Sequence, residues 1–261
     1  MIRALRSLWI WGAIAAIVLV GYPLVALARL FDRDPARYRT GRMLRRLGVP
    51  MGWVNPAWRV HISGERIEDP RRPYVVVSNH QSQADIPLIS HLPWEMKWIA
   101  KEDLFRIPFV GWMMRLAGDI PLDRDDRRAG ARALLEARRY LEKKCSVMIF
   151  PEGTRSPDGR VRRFTDGAFL LAVRAGVPVL PLAVEGSRDC LPKRSWIFGD
   201  TQDIHLMVLP PVETAGLGPA DVGALRDRVR RMIVEKVAAC RGVPPAEVDA
   251  LAEAPPENSP S

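Results

Sequence analysis

His80 and Asp85 are the two side chains best suited to proton transfer. They follow a short β-branched run, residues 74–78, which predicts a buried strand. On a regular helix this spacing would turn the two side chains about 140° apart, so they meet only across a loop. Asp85 stands before Ile86 and Pro87, which predicts the N-cap of a helix. His80 would then lie on a strand-to-helix loop, where a carboxylate on one ring nitrogen leaves the other nitrogen as a base. A capping aspartate near a surface histidine is the alternative.

A polar turn, residues 150–156, follows a second predicted strand and has the side chains of a phosphate site. Gly153 permits close approach of the backbone, Thr154 offers a hydroxyl, and Arg155 offers a planar fork that matches phosphate oxygens. The turn therefore predicts binding of a small phosphate-bearing ligand. A solvated basic turn would have the same composition.

Neither a covalent nucleophile nor a metal centre is indicated. No serine stands in a G-x-S-x-G turn, no cysteine lies near His80, and the histidines show no metal-ligand spacing. The three cysteines are far apart and include no C-x-x-C pair, which disfavours a disulfide framework. We expect no metal and no cofactor.

The chain of 261 residues has a formal net charge of +9, and 48% of its residues are hydrophobic. This composition excludes a wholly disordered or collagen-like chain and predicts one large domain, or one domain with an appendage. The positive charge indicates an anionic partner. The arginines do not interleave with aromatic residues, which disfavours nucleic acid.

Short apolar runs alternate with helical patterns beyond residue 55. Strands are predicted at residues 74–78, 96–100, 119–122, 146–150, 179–184 and 204–209, and helices at 86–91, 101–116 with an interruption at Pro108, 127–143, 167–175 and 220–239. This alternation predicts an α/β domain, residues 55–243, with a mostly parallel sheet covered by helices. The Pro- and Glu-rich residues 244–261 predict a disordered tail.

Residues 8–28 contain no charged side chain and predict a membrane helix. A secretory signal cleaved after residues 26–28 is the alternative, but the arginines that follow resist translocation. A soluble buried helix is a third interpretation, although so long an apolar run without a polar face is unusual for one.

A second N-terminal helix is predicted to begin at Asp34 and Pro35, with the aspartate as N-cap. Apolar residues fall on one side of it and five arginines on the other, which is typical of a helix lying in a membrane interface. A solvated basic face is the alternative. The arginines are Arg37, Arg39, Arg42, Arg45 and Arg46. Residues 1–54 are therefore expected to anchor the chain to the cell membrane, with the folded domain on the cytoplasmic face.

Four ordered segments resemble the motifs of the glycerolipid acyltransferases typified by 1-acyl-sn-glycerol-3-phosphate acyltransferase. Residues 79–85 are similar to the His-x4-Asp motif, and residues 150–156 to the Phe-Pro-Glu-Gly-Thr-Arg-Ser motif. Residues 101–111 resemble the second block of this family and residues 177–184 the fourth.

The resemblance implies direct transfer of a fatty acyl group to the sn-2 hydroxyl of 1-acyl-sn-glycerol-3-phosphate, giving phosphatidic acid for phospholipid biosynthesis. The donor would be acyl-CoA or acyl carrier protein, and the other partners would be membrane lipids. His80 is implied as general base and Asp85 as the residue that orients it. The acceptor-binding residues implied by the resemblance are Glu152, Gly153, Thr154, Arg155 and Lys101.

One position departs from the family pattern. Thr165 stands where many members carry a lysine, and Asp166 follows it, so the acceptor head group stays open. Arg162 or Arg163 could supply the charge instead. Lyso-ornithine lipid and lysophosphatidylcholine are the alternative acceptors, and a non-catalytic protein that binds anionic membranes is the alternative from a different class.

Overall fold

The computed structural model describes residues 2–123, 126–192 and 195–252. Within these ranges seven strands form one sheet: β1 (Trp58–Gly64), β2 (Val75–Ser78), β3 (Met96–Lys101), β4 (Ile120–Leu122), β5 (Ser146–Ile149), β6 (Val179–Glu185) and β7 (Gln202–Val208). Their order is β1-β7-β6-β2-β5-β3-β4. Neighbouring strands are parallel except β6 and β7, which are antiparallel. The predicted mostly parallel sheet is confirmed.

The helices lie on both faces of this sheet. They are α1 (Ile2–Phe31), α2 (Tyr38–Trp53), α3 (Asp85–Ile89), α4 (Glu102–Arg106), α5 (Val110–Ala117), α6 (Arg127–Glu142), α7 (Gly167–Ala175), α8 (Val222–Arg241) and α9 (Pro245–Val248). The pattern at residues 101–116 forms α4 and α5, with the predicted interruption at Pro108 between them.

The central strand β2 is buried on both faces of the sheet. Because side chains alternate along a strand, Val75 and Val77 pack against α6, α7 and α8, whereas Val76 packs on the opposite face near α3. A strand covered on both sides needs a continuous apolar run, which explains why its sequence does not alternate.

All six predicted strands are present to within two residues, and β1 was not predicted. The side chains of β1 are exposed or half-buried along its whole length, so its sequence has no continuous apolar run. Apolar and polar residues do alternate from Trp58 to Ser63, and the prediction missed this pattern. It lies at the edge of the sheet described here and pairs with β7, 144 positions further along the chain.

Helix α1 is long and apolar enough to cross a membrane. Its most apolar stretch of 18 residues has a mean hydropathy of 2.2, and 17% of that stretch is buried inside the protein. It contacts the rest of the chain near both ends. Trp11 Nε1 donates to the carbonyl of Trp196 at 2.8 Å, and the ring of Tyr22 meets those of Phe109 and Trp112 at 5.6 and 5.5 Å between centroids. The helix therefore lies along the folded domain.

The predicted start of the second helix at Pro35 is wrong, because α2 begins at Tyr38. Asp34 accepts a hydrogen bond from the backbone of Ala36 at 2.7 Å and closes a turn instead of capping the helix. Arg37 then adopts a left-handed conformation, with φ of 52°, immediately before the helix.

The predicted lipid-facing position of Arg45 is also wrong. Its guanidinium is buried and forms an ion pair with Asp119. Arg42 is half-buried and donates to two backbone carbonyl groups before β3. Of the five arginines, Arg39 and Arg46 are exposed. Helical periodicity could not show that one arginine of the basic face has a carboxylate partner 74 positions away.

The predicted disordered tail is wrong for residues 244–252. Val248 is fully buried, and its carbonyl accepts a hydrogen bond from Val161 N at 2.8 Å. Asp249 accepts a hydrogen bond at 3.0 Å from Nη1 of Arg230, which is itself buried. The ion pair with α8 therefore holds this segment in place, whereas residues 253–261 lie outside the described ranges.

Candidate active site

The sequence-predicted site residues lie at the carboxyl ends of three neighbouring parallel strands. His80 follows β2, Glu152 follows β5, and Lys101 is the last residue of β3. Ligand sites of open α/β sheets form at this edge, because loops from adjacent strands meet there.

His80 and Asp85 are in direct contact. His80 Nδ1 donates to Asp85 Oδ2 at 2.7 Å, and the backbone N–H groups of Gln81 and Ser82 donate to the same oxygen at 2.8 and 3.1 Å. Asp85 is fully buried and is the first residue of α3. The predicted N-cap role is wrong, since Ala84 occupies that position and the carboxylate turns back toward the loop.

The imidazole of His80 is held from two sides. Its ring stacks on that of Phe150, with 3.9 Å between centroids and 18° between planes. The side chain is 13% exposed. Its Nε2 has no hydrogen-bond partner within the part of the chain that the structure describes. With Nδ1 committed to Asp85, Nε2 carries the lone pair that can accept a proton.

Glu152 lies against the backbone of the histidine. Its Oε1 accepts a hydrogen bond from His80 N at 3.1 Å, and the residue is 8% exposed. Burial raises the pKa of Glu152 to about 8, although hydrogen bonds from the backbone of His80 and Arg162 partly oppose this rise. A carboxyl group that is mostly protonated at neutral pH supports the loop between β2 and α3, residues 79–84, without adding a full negative charge. We call this segment the histidine loop.

The polar turn after β5 is joined to the histidine loop. Ser156 N donates to His80 O at 2.8 Å. Gly153 has a φ of +71°, a left-handed conformation that strains a residue with a Cβ atom, and the space beside it is open. Thr154 and Arg155 are half-buried next to it.

Arg155 and Lys101 differ in their partners. Arg155 has no ion pair or hydrogen bond from its side chain among the described residues, so its guanidinium is available to an anion. Lys101 forms a surface ion pair with Asp103, and its side chain is 53% exposed. The structure therefore brings both cations to one edge of the sheet and leaves Arg155 the freer of the two.

The polar turn continues to Gly159, and we call residues 150–159 the polar loop. Helix α8 anchors the end of this loop. Gly159 O accepts hydrogen bonds from Gln81 Nε2 at 3.2 Å and from Arg241 Nη2 at 2.7 Å. Arg241 also forms a two-point ion pair with Glu185 at the end of β6, at 2.7 and 2.8 Å. These contacts fix the position of the polar loop relative to the histidine loop.

The described residues contain no group of three or more His, Cys, Asp or Glu side chains that could hold a metal ion. His61 and His205 stack at 4.8 Å between centroids, but they lie at the β1–β7 edge of the sheet.

Comparison with known proteins decides the family. The family model described as Acyltransferase matches residues 59–185, which include the histidine loop and the polar turn. A 1-acyl-sn-glycerol-3-phosphate acyltransferase of Pseudomonas aeruginosa is 33% identical over 235 residues, covering 89% of this chain and 86% of the relative.

The chain belongs to the 1-acyl-sn-glycerol-3-phosphate acyltransferase family.

The resemblance of the four motifs is thereby confirmed. The crystal structure of PlsC, the 1-acyl-sn-glycerophosphate acyltransferase of Thermotoga maritima, has a TM-score of 0.77 and 32% identity, and the match covers 92% of this chain and 96% of that one. A chloroplastic relative from Brassica napus is 35% identical over 229 residues, which are 87% of this chain but 63% of the relative. The chain thus spans less than two thirds of that longer acyltransferase.

The departure from the acyltransferase pattern has a local structural explanation. Thr165 Oγ1 donates to Pro151 O at 3.0 Å, so this side chain closes the turn that follows the polar motif. Asp166 accepts a hydrogen bond from Arg226 at 2.6 Å. The added negative charge is therefore paired with α8.

Sequence reasoning missed two site residues of this acyltransferase: one contacts the end of β6 and the other follows that strand. The side-chain amide of Asn79 forms two hydrogen bonds with the backbone of Val184, each 2.8 Å long. Ser187 donates its hydroxyl hydrogen to Asp85 Oδ1 and is fully buried. The sequence did contain a signal for these two residues. The strand predicted at 179–184 ends at the same edge of the sheet as the strand before His80, so residues at its end are expected near the site.

Proposed function

We propose that this protein transfers a fatty acyl group from a thioester donor, acyl-CoA or acyl carrier protein, to the sn-2 hydroxyl of 1-acyl-sn-glycerol-3-phosphate. The observation that carries the proposal is the His80–Asp85 hydrogen bond, which leaves Nε2 free to act as a base. Arg155 lies on the adjoining loop, and its side chain has no partner among the described residues, which supports an anionic acceptor.

The reaction then needs one base and no covalent intermediate on the enzyme. His80 Nε2 takes the proton of the acceptor hydroxyl while the oxygen attacks the thioester carbonyl carbon. The carbon–sulfur bond breaks, the thiolate receives the proton from His80, and the histidine returns to its neutral state. Asp85 stays ionised and stabilises the transient imidazolium.

Arg155 is the proposed partner of the glycerol phosphate. A guanidinium forms paired hydrogen bonds with phosphate oxygens that an ammonium cannot reproduce. The loop that carries it is fixed to His80 through Ser156, so the anion and the reacting hydroxyl would be held at a set distance. Glu152 supports this arrangement from the buried side.

We propose that α1 places the enzyme on the cell membrane, with the catalytic domain on the cytoplasmic face. Many large apolar side chains of α1 are exposed, which is stable in lipid and costly in water. The helix contacts Trp196 near one end and Trp112 near the other, and these contacts hold it along the domain. They favour a helix that lies in the membrane beside the domain over one that extends away from the protein. A lysolipid acceptor would then be bound without drawing its chain into water.

The experiment offers the purified protein a panel of lysolipids with both thioester donors and follows products by mass spectrometry, with His80→Ala as control. We expect phosphatidic acid from 1-acyl-sn-glycerol-3-phosphate. Product from lyso-ornithine lipid or lysophosphatidylcholine alone would overturn the proposed acceptor. Binding to anionic vesicles without product from any acceptor would support a non-catalytic protein.

A further inference from the structure

The two oxygens of the Asp85 carboxylate have unequal surroundings. Oδ2 accepts hydrogen bonds from His80 Nδ1 and from the backbone of Gln81 and Ser82. Oδ1 accepts one hydrogen bond among the described residues, from the hydroxyl of Ser187. Both Asp85 and Ser187 are fully buried, so bulk water does not replace this donor.

The backbone of Ser187 is set by the residue before it. Gly186 has a φ of +81°, and a Cβ atom there would lie 2.1 Å from the carbonyl oxygen of Asp203 on β7. Only glycine fits this turn. The backbone position of Ser187 is therefore set by the packing of β6 against β7. Its hydroxyl faces Asp85 Oδ1 and also lies 3.4 Å from Oε1 of Gln81, on the loop that carries His80.

We propose that Ser187 is a positioning residue, which orients Asp85 so that Oδ2 faces His80. The terminal torsion of an aspartate has a broad two-fold preference, so the donor on Oδ1 acts together with the three donors on Oδ2 to fix the rotation of the carboxylate. Loss of that donor leaves a buried oxygen unpaired and favours a rotated carboxylate that shares its remaining donors differently. The inference rests on the proposed function, because it gives Ser187 a part in a reaction that uses His80 as base.

The primary test is Ser187→Ala in the full-length protein. We expect kcat to fall about tenfold, since one hydrogen bond to a charged group is lost. The KM values for the lysolipid and for the thioester should change less than twofold, because Ser187 lies behind Asp85. Ser187→Thr keeps the hydroxyl and should recover most of kcat.

Ser146→Ala is the matched control. This serine is also buried, but it lies at the amino end of β5, where its hydroxyl oxygen accepts a hydrogen bond from Tyr74 N at 3.1 Å. The control removes a buried serine hydroxyl of the same size, and we expect its kcat to stay within twofold of the wild-type value. An equal loss of kcat in the two variants would mean a general packing effect and would overturn the proposal.

A double-mutant cycle separates positioning through Asp85 from any other route. If Ser187 acts through Asp85, Ser187→Ala should change kcat less than twofold when Asp85→Asn is already present. A full tenfold loss in that background would overturn the proposal.

A spectroscopic measurement keeps the test independent of the acylation assay. The proton on His80 Nδ1 gives a downfield NMR signal when it is bonded to a carboxylate, and the signal is assigned by its loss in His80→Gln. We expect it to shift or broaden in Ser187→Ala and to remain in Ser146→Ala. An unchanged signal in Ser187→Ala would refute the positioning role, whereas failure of the wild-type protein to acylate any lysolipid would refute the proposed function alone.

Discussion

Arg45 of α2 forms a buried ion pair with Asp119, the residue that directly precedes β4. Asp119 Oδ1 also accepts a hydrogen bond from Trp98 N in β3 at 3.0 Å. The second N-terminal helix is therefore joined to the sheet by charges inside the protein. Removal of α2 would leave the buried carboxylate of Asp119 without its cationic partner.

Arg45→Gln should strongly destabilise the fold. Removal of one partner from a buried ion pair leaves an uncompensated charge and costs about 3–5 kcal/mol. Arg46→Gln is the control, because Arg46 is the exposed neighbour and its loss should change stability by less than about 0.5 kcal/mol. Denaturant unfolding of both variants in the same detergent measures the difference. Equal stability of the two variants would contradict the structural role of Arg45.

His80→Ala should lose about 10²–10⁴-fold in turnover, which is the usual contribution of a positioned general base. Asp85→Asn should lose less, because the imidazole keeps its place on Phe150 but loses the carboxylate that supports its charge. Steady-state kinetics on variants with unchanged circular dichroism provide the measurement. Near-normal turnover in folded His80→Ala would refute the mechanism, and an acylated enzyme side chain found by mass spectrometry would refute direct transfer.

Arg155→Ala should raise KM for the lysolipid acceptor about tenfold and leave KM for the thioester donor nearly unchanged. Arg155→Lys should recover part of the loss, since a point charge lacks the fork of a guanidinium. Arg59→Ala is the matched control. It removes the same charge from the outer strand β1, where Arg59 forms an exposed ion pair with Asp203 of β7. Equal changes in both KM values would show that Arg155 is structural.

Glu152→Gln should alter the dependence of stability on pH. The pKa of Glu152 is raised from 4.5 to about 8 in the folded protein because of burial, so the folded state holds a proton that the unfolded chain releases. Its contribution to stability is complete below pH 4.5 and is lost, at about 1.4 kcal/mol per pH unit, as the pH rises to about 8.

Unfolding free energies of wild type and Glu152→Gln, measured between pH 4.5 and 9, test this sign. The glutamine variant should gain stability relative to wild type as the pH rises. Glu213→Gln, at an exposed carboxylate paired with Arg72, should show no such gain. A constant difference between wild type and Glu152→Gln across this range would contradict the raised pKa.

Polar substitutions on the exposed side of α1 should release the protein from vesicles. The side chains to replace with Ser or Gln are those that face away from the domain: Leu8, Trp9, Leu19, Val20 and Leu27. Arg39→Gln with Arg46→Gln should weaken binding to anionic vesicles only at low salt, because exposed charges are screened. Vesicle flotation measures both effects. A fully substituted protein that still floats in high salt would place the membrane attachment on another surface.

The sequence predicted the parts of the fold that depend on local patterns. The β-branched run of β2 and the helical repeat of α8 each specify an element through their own residues. The site pair His80 and Asp85 was also predictable, because a strand end and a helix start five positions apart bring the two side chains together.

Contacts between distant segments were not predictable in this way. Ser187 donates a hydrogen bond to the carboxylate of Asp85, 102 positions earlier. Arg45 pairs with the carboxylate of Asp119, 74 positions later. Val248 is buried although its neighbours are rich in proline and charge, since the decisive partner of that segment is Arg230 on α8. Each of these outcomes depends on the sheet order, which the strand patterns alone do not specify.

The contacts between α1 and residues 196–200 join two segments that the ribosome makes at different times. Arg6 and Phe198 are 192 positions apart, so at about 5–20 residues per second Arg6 is made about 10–40 s before Phe198. During that interval Ile10, which packs with Phe198 in the finished protein, lacks this partner. A bilayer offers the apolar surroundings that the unfinished chain does not, so α1 should enter the membrane before the last strand, β7, is synthesised.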